Sequence, residues 1–193
     1  MIAHLQGKLV EKSPTQIIID CGGVGYHVNI SLHTYSLLPN TDLIKVYTYL
    51  QIKEDAHTLF GFVEKSEREI FKMLLSVSGI GASIARTMLS SLDPKQITNA
   101  IASGDVVTIQ SIKGIGSKTA QRVILDLKDK VLKLYDLDEV SMSQSNTNRD
   151  EALSALEVLG FLRKSSERVV EKIVKDDPEA SVESIIKKAL KIL

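Results

Sequence analysis

The chain is poor in the residues on which many small-protein chemistries depend. Among its 193 residues there is one cysteine, Cys21, so no internal disulfide can form and no cysteine-based metal set can be built around it. Cys21 is expected to behave as a small buried apolar residue. The four histidines, His4, His27, His33 and His57, are scattered without ligand spacing and read as surface or strand positions. No metal and no cofactor is therefore expected. No basic region leads into an apolar run near the N-terminus, and no apolar stretch approaches bilayer-spanning length. The cytoplasm is the expected location, with no membrane partner. Net charge is missing too, since 24 Lys and Arg balance 24 Asp and Glu.

That balance hides a division along the chain. Residues 1–63 hold four basic and five acidic side chains, and residues 64–135 hold eleven and seven. Residues 136–149 hold one and three, and residues 150–193 hold eight and nine. The whole positive excess lies in 64–135. Such a distribution fits a local phosphate-binding face rather than a globally basic chain.

The same segment carries a repeat at a spacing of 35. Gly79-Ile80-Gly81 with Ala85 recurs as Gly114-Ile115-Gly116 with Ala120. The apolar frame recurs as well: Leu74, Val77, Met88 and Leu89 correspond to Ile109, Ile112, Val123 and Ile124. A Gly-hydrophobic-Gly turn between two helices bends tightly without a Cβ clash and leaves bare N–H groups at the start of the second helix. The helix dipole favours an anion there. This is the helix-hairpin-helix pattern, which reads phosphates rather than bases. The second copy is the stronger, because Lys113 precedes the turn and Ser117, Lys118 and Arg122 follow it. Lys118 and Arg122 share a helix face by their i, i+4 spacing. In the first copy Ala82 and Ser83 replace Ser117 and Lys118, and Arg86 is the nearby cation. A plain αα-hairpin with a glycine turn is the bland alternative; two copies in register, one of them basic, favour phosphate binding.

Pattern changes mark out the remaining organisation. Residues 1–63 read as strands: Ile17–Ile19 and Val28–Ile30 flank the turn-forming Cys21-Gly22-Gly23-Val24-Gly25. Val46–Leu50 and Thr58–Phe62 are β-branched and aromatic runs. Five or so strands with a brief helix near 33–37 suit a small closed barrel of the OB type. Alternation is expected to place several of Tyr26, Tyr47, Tyr49, Phe60 and Phe62 inside it. From Ser66 the period is helical, with Ile70, Leu74 and Val77 on one face and Ser66–Glu69 at capping-box spacing. Asp93-Pro94 opens another helix, and the helix after the second glycine turn can continue through Leu134. Residues 136–149 are polar and predict a flexible linker. Beyond it, Ala152–Leu159, Ser165–Val174 and Val182–Leu193 predict three short amphipathic helices.

The chain resembles the RuvA family of Holliday-junction recognition proteins over essentially its whole length. The resemblance rests on Ile112 to Arg122, on the opening Met1-Ile2-Ala3-His4-Leu5-Gln6-Gly7, and on Glu54-Asp55-Ala56-His57-Thr58-Leu59-Phe60-Gly61-Phe62. It implies an OB-fold barrel (1–63), a tandem helix-hairpin-helix domain (64–135), a linker (136–149) and a UBA-like three-helix bundle (150–193). It further implies a homotetramer, one or two copies of which clasp a four-way junction in DNA recombination and repair. No catalytic activity is implied. The hexameric ATPase RuvB would be loaded on opposite arms, and the resolvase RuvC would act on the same junction. Phosphate contacts would come from Gly79, Gly81, Arg86, Lys113, Gly114, Gly116, Ser117, Lys118 and Arg122. Glu54 and Asp55, between the two aromatic strands, would form an acidic pin at the crossover. In the bundle Leu156, Leu159, Phe161 and Leu162, around Gly160, would dock onto RuvB. Relatives often carry a basic residue where this chain has Ser83, which weakens the first hairpin's charge.

Two other readings compete. A helix-hairpin-helix glycosylase needs a catalytic Asp beyond the hairpin, and Asp126, the nearest one, falls within the continuing helix. A single-strand binder would stack bases on barrel aromatics, but the barrel segment is slightly acidic.

Overall fold

The computed structural model divides into two compact units, Met1–Leu132 and Lys133–Leu193. Its backbone is described for residues 1–140, 144–178 and 180–193, and its side chains for 1–131, 148–178 and 180–193.

The first unit opens with five strands: β1 (His4–Ser13), β2 (Gln16–Asp20), β3 (Gly25–Ile30), β4 (Leu43–Ile52) and β5 (His57–Phe62). They close into a barrel in the order β1-β2-β3-β5-β4. The β3–β5 pair is parallel and the others are antiparallel. Closure removes the free edges that a five-stranded sheet would otherwise expose. Period-two alternation sends Leu5, Ile17, Ile19, Val28, Ile30, Ile44, Val46 and Leu59 into one buried aliphatic core. A Cβ on Gly61 would stand 2.6 Å from the Val28 side chain, so the interior has no room there for anything larger. Helix α1 (Leu32–Leu37) follows β3, capped by the Ser31 hydroxyl, which accepts from the Thr34 amide.

Of the five aromatics expected in part inside the barrel, Tyr26 alone packs against its core. Tyr49, Phe60 and Phe62 point outward and pack on Phe71, with ring centroids 5.1 to 5.5 Å apart. Leu59 and Gly61 hold the inward positions of β5, so alternation turns Phe60 and Phe62 to the helical layer. Tyr47 carries cations instead, with Lys45, Lys65 and Arg68 each about 5.5 Å from its ring. Cys21 is half-buried against the barrel core, its thiol donating to the Gln6 carbonyl (3.3 Å).

The helical layer of this unit comprises α2 (Lys65–Leu75), α3 (Ala82–Ser91), α4 (Pro94–Ser103), α5 (Val106–Gln110) and the start of α6 (Ser117–Val140). Asp93 caps α4 in a full capping box, accepting from the Gln96 amide (2.7 Å) while its own amide donates to Gln96 Oε1 (3.0 Å). The box expected at Ser66–Glu69 does not form. Helix α2 starts at Lys65 with Glu64 in the cap position and no side-chain cap bond, and Glu69 receives Arg68 and Lys72 instead. Helix α6 continues past Leu134 to Val140.

The second unit packs α7 (Gln144–Val158), α8 (Arg163–Asp176) and α9 (Val182–Ala189) around Leu153, Leu156, Val170, Ile173 and Ile185. It begins before residue 150. Asn148 donates to the Ala180 carbonyl (3.3 Å), and Arg149 pairs with Glu171 (3.1 Å). The polar stretch 136–149 thus has helical backbone over 136–140 and 144–149, not the wholly structureless linker expected; it contains neither glycine nor proline to stop a helix. Residues 141–143 lie outside the described residues.

Candidate nucleic-acid interface

The repeat at spacing 35 is a repeat of hydrogen bonds. Ile80 N–H donates to Val77 O and Ile115 N–H to Ile112 O, both at 3.1 Å. Ala85 N–H donates to Gly81 O and Ala120 N–H to Gly116 O, both at 2.9 Å. Each turn is preceded by a serine whose hydroxyl bonds the carbonyl three residues back: Ser76 to Met73 and Ser111 to Thr108, both at 2.7 Å. Gly79 and Gly114 have φ of 95° and 94°, a region that side chains with a Cβ avoid. The isoleucine between each pair of glycines is buried and the glycines are exposed. Each hairpin is therefore a rigid apolar hinge that presents its glycines outward.

Because the first intrahelical bonds come from Ala85 and Ala120, the amides of the three residues before each have no intrahelical acceptor. These are the donors an anion would meet. No protein atom lies within 4 Å of where a Cβ would sit on Gly81, Gly114 or Gly116, so the approach is open. Lys113, Ser117, Lys118 and Arg122 are all exposed around the second turn. Arg122 also crosses to the first turn, donating to Ser78 O (3.4 Å), and the Thr119 side chain lies 4.0 Å from the Cβ position of Gly79. The two turns are neighbours on one surface.

Arg86 lines a cleft with Gly81 and Ser83 beside the first turn, but its guanidinium is turned to the barrel. Its guanidinium donates to Asn29 Oδ1 (2.9 Å) and to Thr15 O (3.3 Å), both on the barrel. It was expected among the phosphate ligands, and its helix register turns it toward the strands.

Glu54 and Asp55 lie at the exposed tip of the β4–β5 hairpin, closed by Lys53 N–H donating to Ala56 O (2.9 Å). Neither makes an ion pair or a side-chain hydrogen bond among the described residues. Two adjacent carboxylates on a bare tip project negative charge away from the barrel.

A polar site missed in the sequence fastens barrel to helices. Glu67 on α2 is fully buried and accepts from the hydroxyls of Ser31 and Thr34, the latter at 2.6 Å. Burial raises its pKa, against the opposing pull of the two hydroxyls and of His33. Its signal was present: Glu67 falls on the same helical face as Ile70, Phe71 and Leu74, the stripe that packs inward.

In the second unit, Leu156 is fully buried at the bundle core, so the expectation that it docks a partner is corrected. Around the Gly160 turn the apolar side chains that reach solvent are Val158 (89% exposed), Leu159 (58%) and Leu162 (78%), with Phe161 half-buried against the core; Leu190, Ile192 and Leu193 are also exposed, at the far end of the unit's sequence. Val158 was missed because it ends the helix rather than joining its apolar stripe.

No helix among the described residues is long and apolar enough to cross a membrane. Comparison with known proteins agrees with the family resemblance along the whole chain. A family model described as RuvA N terminal domain matches residues 1–61, one described as SAM-like helix-hairpin-helix tandem matches 71–129, and one described as RuvA C-terminal domain matches 147–193. A protein of Flavobacterium psychrophilum named Holliday junction branch migration complex subunit RuvA is 77% identical over 193 residues, covering all of both chains. Proteins of the same name from Christiangramia forsetii and Cytophaga hutchinsonii are 67% and 48% identical, again over all of both chains. The chain belongs to the RuvA family. Within the family's three matched segments fall both glycine turns, the acidic tip and the exposed leucines of the bundle.

Proposed function

We propose that this chain is the DNA-recognition subunit of a branch-migration complex, without catalytic activity of its own. It binds four-way junctions in the cytoplasm as a homotetramer, one or two per junction, and holds them open. Duplex arms rest on the paired glycine turns, whose amides and Lys113, Ser117, Lys118 and Arg122 meet phosphates. The contact is sequence-independent because it stops at the backbone. Glu54 and Asp55 act as the pin, repelling phosphates at the crossover so that arms separate; repulsion there fixes where the strands can lie. The bundle's exposed apolar edge recruits the RuvB ATPase, and RuvC works on the same junction.

The observation that carries this reading is the near-identity of the two turns. Both have a glycine at φ close to 95°, an open amide face and the same hydrogen bonds, side by side on one surface. Two adjacent phosphate cradles suit the two backbones of one duplex arm. The single-strand reading loses support, because Phe60, Phe62 and Tyr49 are covered by Phe71 and offer no stacking platform. A gel comparison of four-way junction, duplex and single strand at one salt concentration tests the proposal. Tightest binding to the junction is the expected result; equal affinity for all three would overturn it.

A further inference from the structure

The two hairpins differ most at the charged positions of their second helices. Lys118 and Arg122 of the second copy align with Ser83 and Thr87 of the first, 35 residues earlier. Arg86 aligns with Gln121 instead, one residue off the cationic face and so rotated about 100° around the helix. Gln121 is exposed, whereas Arg86 is half-buried and turned to the barrel.

Its partners form a chain of contacts to the strand that leaves the acidic tip. The Arg86 guanidinium donates to Asn29 Oδ1 (2.9 Å) on β3. The Asn29 amide in turn donates to the Leu59 carbonyl (3.3 Å) on β5. Arg86 also donates to Thr15 O (3.3 Å), which already accepts from Ile30 N–H (3.0 Å). One turn further along α3, Ser90 bonds the Arg86 carbonyl with its hydroxyl (2.8 Å) and accepts from the Leu32 amide (3.1 Å). Helix α3 is thus tied at two successive turns, to the barrel through Arg86 and to the start of α1 through Ser90. Between the tie and the tip lies a cleft of about 340 Å³, lined by Gln51, Lys53, Thr58, Gly81, Ser83 and Arg86.

We infer that Arg86 is a positioning residue, which sets the distance and angle of the first glycine turn relative to the acidic pin through Asn29 and β5. It does not act as a phosphate ligand. The inference rests on the proposed junction-binding role. A guanidinium suits the task because its planar fork reaches two acceptors in fixed directions, which an ammonium cannot do with the same geometry. Charge-assisted bonds to two neutral acceptors also resist salt better than an exposed ion pair does. With the first turn held in register with the pin, one duplex arm and the crossover are read as a single shape.

The test uses the full-length protein with Arg86→Gln, Arg86→Lys, Asn29→Ala and the Arg86→Gln/Asn29→Ala double variant. Junction and duplex affinities are measured over a salt series. A phosphate ligand contributes about 0.9 to the slope of log K against log salt. The expected result is an unchanged slope for Arg86→Gln, together with a several-fold fall in the preference for junction over duplex. Asn29→Ala should show the same fall, and the double variant should fall no further than either single. Arg86→Lys keeps the charge and loses the fork, so it should also lose preference. A slope reduced by about one in Arg86→Gln, with Asn29→Ala at the native value and Arg86→Lys restoring the preference, would overturn the inference. Should the native protein show no junction preference, the proposed function itself fails. Thermal unfolding of the same four variants then decides the brace separately: non-additive loss supports it and additive loss refutes it.

Discussion

The Arg122 guanidinium, anchored on the helix that leaves the second glycine turn, donates to the Ser78 carbonyl in the first turn (3.4 Å). One exposed cation therefore serves both hairpins: it lends charge to the second and fixes the first beside it. Arg122→Ala is expected to weaken junction and duplex binding together. It should also lower the salt slope by about one, as loss of a single phosphate contact requires. Titrations at several salt concentrations check this, and an unchanged slope would assign Arg122 to structure alone.

The glycines separate into two kinds of test. Gly116 has no positive φ and no atom near its Cβ position, so Gly116→Ala is tolerated by the fold while its methyl meets an approaching phosphate. Binding should fall about tenfold, roughly 1.4 kcal/mol, and by more than for Lys118→Ala, with the melting temperature unchanged. Gly114 sits at φ 94°, where an alanine costs about 1–2 kcal/mol of stability. Gly114→Ala should therefore lower the melting temperature as well. Parallel melting and binding curves distinguish the two.

At the barrel's tip the expected direction is reversed. Glu54→Gln with Asp55→Asn removes repulsion from an exposed turn whose two carboxylates make no side-chain bond among the described residues, so folding should be unaffected. Duplex binding should tighten several-fold while junction binding holds or tightens. The preference for four-way DNA shrinks accordingly. Competition between junction and duplex measures it, and lost junction binding by a folded variant of native assembly mass would end the pin assignment.

Glu67 supplies a pH signature. Its pKa is raised by burial above the ordinary carboxylate value of 4.5, so between that value and its folded pKa the folded state binds more protons than the unfolded state. Stability from this group is thus fully present near pH 4.5 and declines as pH rises through the folded pKa. Glu67→Gln abolishes the titration. The native protein should gain stability relative to Glu67→Gln as pH falls from neutral toward 4.5, read by denaturant melts at matched pH. A difference that stays flat would show that Glu67 has an ordinary pKa.

Local pattern made much of this molecule legible. The glycine repeat placed both turns to the residue, Asp93-Pro94 placed the start of α4, and the β-branched and aromatic runs marked strands β2 to β5. What escaped was decided by packing between layers. Several of the five aromatics read as barrel interior because a lone strand does not reveal which face a helix will cover, and Phe60 and Phe62 turn to the helices. Arg86 read as a DNA contact because its partners, Asn29 and Thr15, are 57 and 71 residues away. Glu67 was overlooked as a charge among charges, although its position on the Ile70–Leu74 stripe foretold burial. Leu156 read as exposed because only the assembled bundle shows which leucines meet.

That last distinction yields a test of partner docking. Leu156 and Leu162 are the same residue type six positions apart, one fully buried and one 78% exposed. Leu162 precedes α8 in extended backbone, and its side chain contributes little to the bundle. Leu162→Asp should therefore leave the helical signal, the assembly mass and junction binding at native values. Stimulation of the RuvB ATPase should fall at least tenfold, because a carboxylate cannot enter an apolar docking site without a partner. Leu156→Ala should lose stimulation by a different route: emptying the core of so small a bundle costs about 2–5 kcal/mol, enough to unfold it. The two routes diverge on raising the RuvB concentration and on cooling. Cooling rescues a marginal bundle but not a mismatched surface. Native stimulation by Leu162→Asp would move the docking site away from the Gly160 turn, and Val158 (89% exposed) and Leu159 would then have to be tested without it.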